Sequence, residues 1–143
     1  MSHSTNRFAT AGVVLAICLA GCSEAQRAVA VDPEPVIVES IDGTELGRLT
    51  LSPSAAERLD IKLSTVEVAD DGLVVPSAAV IIDPAGIYWV YTQPEPLVFV
   101  RAQLHEVYEE DQRAYFTEGP VSGTAVVVTG VPELYGAEFG IGK

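Results

Sequence analysis

The chain has 143 residues, with twenty acidic side chains against eight basic ones and a formal charge of −12. That length suffices for one domain with its own core, and a surface so acidic excludes DNA, RNA and a basic patch for anionic lipid headgroups. Only two cysteines occur, Cys18 and Cys22, and both lie close to the amino terminus.

Arg7 is followed by an apolar run from Phe8 to Ala20. At roughly 13 residues the run falls short of the roughly 20 that a helix needs to span a hydrocarbon core, but it suits a secretory signal. It ends in Leu19-Ala20-Gly21-Cys22, which resembles the lipobox of bacterial lipoproteins. The resemblance implies diacylglycerol on the Cys22 thiol, cleavage before Cys22 and acylation of the new amino terminus. Residues 1–21 are then a signal peptide. Small Ala20 and Gly21 let a peptidase groove approach the backbone, and the thiol is the strong nucleophile of the segment. Cys18 leaves with the leader, so the mature chain has no pair of thiols to oxidise. More than one acyl chain makes such anchoring stable. The expected location is the periplasmic face of the cell envelope. Ser23 stands where aspartate would retain a lipoprotein at the inner membrane, which by resemblance to sorting in enteric-type bacteria favours the outer membrane.

Residues 22–35 are polar and proline-containing (Glu24, Gln26, Arg27, Asp32, Pro33, Glu34, Pro35) and read as a tether. Such a flexible segment holds a domain on the order of 20 Å from its lipid. The folded part is expected over residues 36–143. Val36–Ile41 and Leu46–Leu51 flank the hairpin dipeptide Asp42-Gly43. Ser52-Pro53 reads as an N-cap and first helical position, followed by one or two turns through Leu59. Over Ile61–Val68 the apolar parity slips between Leu63 and Val66, a sign of a bulge or bend. Pro76 interrupts an apolar run from Leu73 to Ile82, Asp83-Pro84-Ala85-Gly86 forms a turn, and Ile87–Thr92 is a strand broken by Gln93-Pro94-Glu95-Pro96. Leu97–Tyr108 is a long strand with Val98, Val100, Ala102 and Leu104 on one face and Arg101, Gln103 and His105 on the other. Glu109-Glu110-Asp111 turns into a strand at Ala114–Thr117, and Thr124–Thr129 is apolar throughout, as in a strand buried on both faces. The tail from Val131 shows no clear pattern. The expected fold is mainly β, a small roll or barrel of about seven to nine short strands with one short helix.

Two stretches resemble the periplasmic adaptor subunits (membrane fusion proteins) of efflux pumps of the resistance-nodulation-division class. The first is Leu51-Ser52-Pro53-Ser54-Ala55-Ala56-Glu57-Arg58-Leu59-Asp60-Ile61-Lys62 running into Thr65-Val66-Glu67. It is similar to the segment that leads into the adaptor's lipoyl-like domain. The second includes Val75-Pro76-Ser77-Ala78-Ala79-Val80, Asp83-Pro84-Ala85-Gly86, Tyr88-Trp89-Val90-Tyr91, Phe99-Val100-Arg101 and Gly119-Pro120-Val121-Ser122-Gly123-Thr124. It is similar to the adaptor's membrane-proximal domain. In adaptors a lipoyl domain, a β-barrel and usually a helical hairpin lie between the two; here only Ala69–Leu73 separates them. The resemblance implies a membrane-proximal domain standing alone, without the hairpin that reaches an outer-membrane channel. What it keeps is the part that packs on the inner-membrane transporter, which pulls against the outer-membrane expectation from Ser23.

Catalytic patterns are missing. His105 has Glu106 beside it, but neighbours on a strand face opposite ways and no nucleophile accompanies them. Glu109-Glu110-Asp111 and Asp70-Asp71-Gly72 read as solvated turns, because no EF-hand spacing surrounds them. With no methionine beyond Met1, soft metals such as copper and silver have no ligand set, so neither metal nor cofactor is expected. Tyr88, Trp89 and Tyr91 serve either packing or a ligand-stacking face. Tyr135 and Phe139 are either docking anchors or the closure of the domain's own core. These five aromatics are the candidate docking residues. The expectation for function is a lipid-anchored, non-enzymatic accessory protein docking on, or modulating, an envelope transporter. The alternative is a free-standing envelope lipoprotein that binds a small ligand or another envelope protein.

Overall fold

The computed structural model describes residues 34–141; the leader, Leu19, Ala20, Gly21, Cys22 and most of the tether lie outside them. Among the described residues eleven strands form. They are β1 (Val36–Ser40), β2 (Gly47–Leu51), β3 (Lys62–Thr65), β4 (Glu67–Ala69), β5 (Gly72–Pro76), β6 (Ile81–Ile82), β7 (Tyr88–Glu95), β8 (Val98–Leu104), β9 (Tyr108–Glu110), β10 (Arg113–Phe116) and β11 (Ala125–Thr129). Among the described residues there are also two α-helices, α1 (Pro53–Arg58) between β2 and β3 and α2 (Val131–Glu138) after β11, and a 3-10 turn at Ser77–Ala79. The protein is mainly β, as the sequence leads one to expect. One antiparallel sheet of seven strands runs β1-β2-β8-β7-β11-β3 with β6 against β7, and a second of four runs β4-β5-β10-β9.

Alternation along the central strands explains how these layers stack. Neighbouring side chains on a strand point to opposite faces, and here both faces are covered. Tyr91, Phe99 and Val127 join Leu49, Leu51, Ala55, Val131 and Leu134 in one buried cluster, beneath α1 and α2. Val90, Leu104 and Val126 join Val66, Val75, Ala79, Ala114 and Phe116 in another, which fills the space between the two sheets. The uninterrupted apolar run at Val126-Val127 is thus the signature of a strand feeding two cores, both residues being fully buried.

The parity slip over residues 61–68 has a more specific meaning than a bulge. β3 pairs with β11 in the large sheet, while β4 pairs with β5 in the small one. The chain changes sheets at Val66, which is buried and bonded through its own N–H and carbonyl to Thr124 and Gly123. Ser52 caps α1 as its position requires, its Oγ accepting from Ala55 N–H at 3.2 Å.

The proline run Gln93-Pro94-Glu95-Pro96 does not end the strand, contrary to expectation. β7 continues to Glu95, and its pairing with β8 slips between Thr92 and Glu95. A bulge is where a sheet tolerates a residue with no N–H to donate. The tail that shows no pattern forms α2. Gly130 precedes it at φ +91°, and a Cβ there would collide with Ile61 Cδ1, so glycine alone fits the corner. The helix ends in a Schellman arrangement: Gly140 sits at φ +64°, with Ile141 N–H bonded to the Gly136 carbonyl and Gly140 N–H to that of Ala137. Among the described residues no helix is long and apolar enough to cross a membrane.

Candidate functional site

Strand parity places Trp89 and Tyr91 of β7 on the α2 side of the large sheet, with Phe99 and Arg101 of β8 beside them; Tyr91 and Arg101 are cross-strand partners. The polar face expected of Arg101 is therefore covered rather than open, and Arg101 is 6% exposed. Its charge is met by Glu138, at the last turn of α2, with Nε donating to Oε2 at 2.7 Å. Tyr91 donates its hydroxyl to the same oxygen at 2.5 Å, and Gly47 N–H donates to Oε1 at 2.9 Å. A Cβ on Gly47 would press to 3.0 Å from Glu138 Cγ, so glycine lets the carboxylate sit against the β2 backbone. Burial, reinforced by the bond to Glu138, holds the Tyr91 hydroxyl far above the ordinary tyrosine range, so it remains a donor.

A glutamate near a helix C-terminus opposes the helix dipole. Three charge-assisted or buried donors outweigh that local preference, and the carboxylate fastens α2 to the sheet. Above the ion pair, aromatic rings enclose the guanidinium. Arg101 Cζ lies 4.4 Å from the Trp89 ring centre, 4.9 Å from that of Phe139 and 5.9 Å from that of Tyr135. Tyr135 and Phe139 touch each other with ring centres 4.6 Å apart. Asp83 holds Trp89 in place: its Oδ2 accepts from the indole N–H at 3.0 Å, and its Oδ1 accepts from the Ala85 and Ile87 N–H groups. Those bonds, led by Ile87 and Trp89, lower the Asp83 carboxyl below its usual range. Between the Asp83 turn and α2 runs an open groove of about 570 Å³, lined by Glu45, Asp83, Trp89, Arg101, Tyr135 and Phe139, with Ile141 at its end.

Of the five expected docking aromatics, Trp89, Tyr135 and Phe139 come together here. Tyr91 does not: it is fully buried beneath them in the core. Tyr88 faces the other way, packed against the cluster between the sheets. Phe139, 49% exposed, and Ile141, 67% exposed, form the open lip. The residues that organise the groove, Arg101, Glu138 and Asp83, are absent from the sequence-based candidates. Arg101 left one trace, since it shares strand parity with Phe99, an apolar residue. A second groove of about 510 Å³ beside Pro35, Leu59 and Pro132 has only the exposed Arg58 and Glu133 as charged lining. It lacks any comparable anchor.

His105 is exposed, with its backbone bridged to Glu118, and Glu106 accepts from the Thr117 hydroxyl at 2.7 Å. Glu109 and Glu110 lie in β9, not in a turn, and Asp111-Gln112 forms the turn with both φ values positive. Among the described residues no group of three or more histidine, cysteine, aspartate or glutamate side chains is placed to hold a metal ion. What the groove offers chemically is stacking, apolar contact and hydrogen-bond donation. No family model, curated protein or solved structure matches the chain.

Proposed function

We propose that this chain is a lipid-anchored, non-enzymatic accessory protein that docks on, or modulates, an envelope transporter, as an efflux-pump adaptor's membrane-proximal domain does. Cys22 carries the anchor, and the groove beside α2 is the docking surface. The observation that carries the surface assignment is the meeting of Trp89, Tyr135 and Phe139 around Arg101, with Ile141 exposed alongside. Aromatic and arginine side chains clustered in a partly desolvated pocket are the usual anchors of protein interfaces, and exposed apolar side chains gathered in one place mark a binding face. The transporter assignment rests on the two-part resemblance in the sequence. The competing reading, an envelope lipoprotein that holds a small ligand, draws on the same groove and its guanidinium floor.

Affinity purification of the intact lipoprotein from crosslinked membranes separates the two. The docking reading expects an inner-membrane transporter to co-purify and to be lost from a Phe139→Ala, Ile141→Ser variant that still folds. Recovery of the protein alone, at a depth that detects known envelope complexes, overturns it in favour of the ligand-binding lipoprotein.

A further inference from the structure

We infer that the groove takes an apolar peptide segment flanked by lysine or arginine, one of whose backbone carbonyls accepts hydrogen bonds from the Nη groups of Arg101. This rests on the docking reading above and names the chemistry of the partner it requires.

The argument starts from unmet donors. Arg101 uses Nε for Glu138, and among the described residues neither Nη group has an acceptor. A guanidinium carries five N–H donors in a fixed fork, and leaving them sealed from water is costly. Among the described residues the buried side-chain atom with no hydrogen-bond partner is Ser77 Oγ, not an Arg101 nitrogen, so the Nη groups keep some contact with solvent. Arg101, whose side chain is 5% exposed, lines the groove, and the groove is where its Nη groups can meet an acceptor. Trp89 and Phe139 lie within 5 Å of the guanidinium carbon. An occupant must therefore present an acceptor to the edge while laying apolar groups along the rings.

Charge decides what kind of acceptor. Arg101 is already matched by Glu138 at 2.7 Å, and Asp83 and Glu45 add two more carboxylates to the surroundings of one cation. A ligand carboxylate at the Nη edge meets repulsion from all three, in a chain whose formal charge is −12. A peptide carbonyl accepts the same bonds without that repulsion and brings its own apolar side chains. The exposed Glu45 at the rim then favours basic flanking residues, through the complementarity that steers charged partners together.

Trp89 is the only tryptophan in the chain, so its emission reports on the groove directly. The probe is the peptide acetyl-Lys-Leu-Phe-Leu-Lys-amide, titrated into the full lipidated protein held in phosphatidylcholine nanodiscs. The expected result is a saturable change in Trp89 emission. Acetyl-Glu-Leu-Phe-Leu-Glu-amide should bind at least about tenfold more weakly, as should N-acetylphenylalanine with its free carboxylate. Arg101→Lys keeps a cation for Glu138 but loses the fork, and should weaken binding of the Lys peptide by about tenfold. Should that variant not fold, Phe139→Ala, at an exposed position, should weaken it by about fivefold. Equal or tighter binding of either carboxylate probe, an affinity unchanged by Phe139→Ala, or no saturable change with any probe overturns the inference. Peptide binding by a protein that captures no transporter overturns the transporter assignment alone. Transporter capture without peptide binding overturns this inference alone.

Discussion

The two buried clusters lie on opposite faces of one sheet and are built on different principles. The one between the sheets is apolar throughout, from Val66 and Val75 to Leu104 and Phe116. The one beneath the helices abuts a charge pair, Arg101 with Glu138, whose side chains are 5% and 3% exposed. Apolar burial stabilises in proportion to area. A buried ion pair contributes little net stability, because desolvation offsets most of its Coulomb attraction, yet breaking it by removing one partner is costly. Both clusters therefore stabilise the fold through apolar burial. The ion pair beside the second adds position, holding α2 against the sheet so that Tyr135 and Phe139 face Trp89.

Two variants test that division at its largest effects. Phe116→Ala should cost about 3–5 kcal/mol in urea unfolding by leaving a cavity, while the native Trp89 emission stays as in the parent. Glu138→Ala should cost about as much, roughly 3–5 kcal/mol, because Arg101 is left buried and unpaired, and here the native Trp89 emission should shift. Combining Arg101→Met with Glu138→Gln should recover most of the loss, since the amide oxygen can still accept from Gly47 N–H, the amide N–H can donate to the Tyr91 hydroxyl oxygen, and no lone charge remains. Failure to recover would mean that the pair itself, not the lone charge, stabilises the domain.

A smaller effect is expected at the edge of the helix-side cluster. Ser52→Ala removes the N-cap of α1, which places Ala55 in that cluster, and should lower stability by about 1 kcal/mol.

The smallest effect depends on pH. The Asp83 carboxyl lies below its ordinary value of 3.8 in the folded protein, chiefly through bonds from Ile87 and Trp89. Its contribution is therefore complete above that value and is lost as pH falls through the lower folded one. Asp83→Asn should be slightly less stable than the parent at neutral pH, with the gap closing in acid below pH 3.8. A gap that widens in acid would contradict the assignment.

Local signals carried much of the sheet framework. Asp42-Gly43 turns β1 into β2, the Ser52 cap starts α1, and the Gly86 N–H closes the Asp83 turn at 2.9 Å. Each of these depends on residues close in sequence. The change of sheet at Val66 left only a slipped parity, because pairing partners are chosen by distant strands. Pro94 misled for the converse reason: its local preference was to break a strand, and a bulge between Thr92 and Glu95 absorbed it. α2 was illegible because it is short, with only Val131 and Leu134 buried. Its fastening, Glu138 to Arg101, joins residues 37 apart, beyond any periodicity. Three of the aromatic candidates were legible as a set of residue types; their meeting around a guanidinium was not.

The docking face is tested most directly by placing a photo-crosslinking phenylalanine analogue at position 139 in the lipidated protein and irradiating intact cells. The same analogue at Tyr108, which is 50% exposed on the four-stranded sheet, serves as the comparison. The account predicts an adduct with an inner-membrane transporter from position 139 and none from position 108. Adducts of equal yield from both positions, or from position 108 alone, would contradict it.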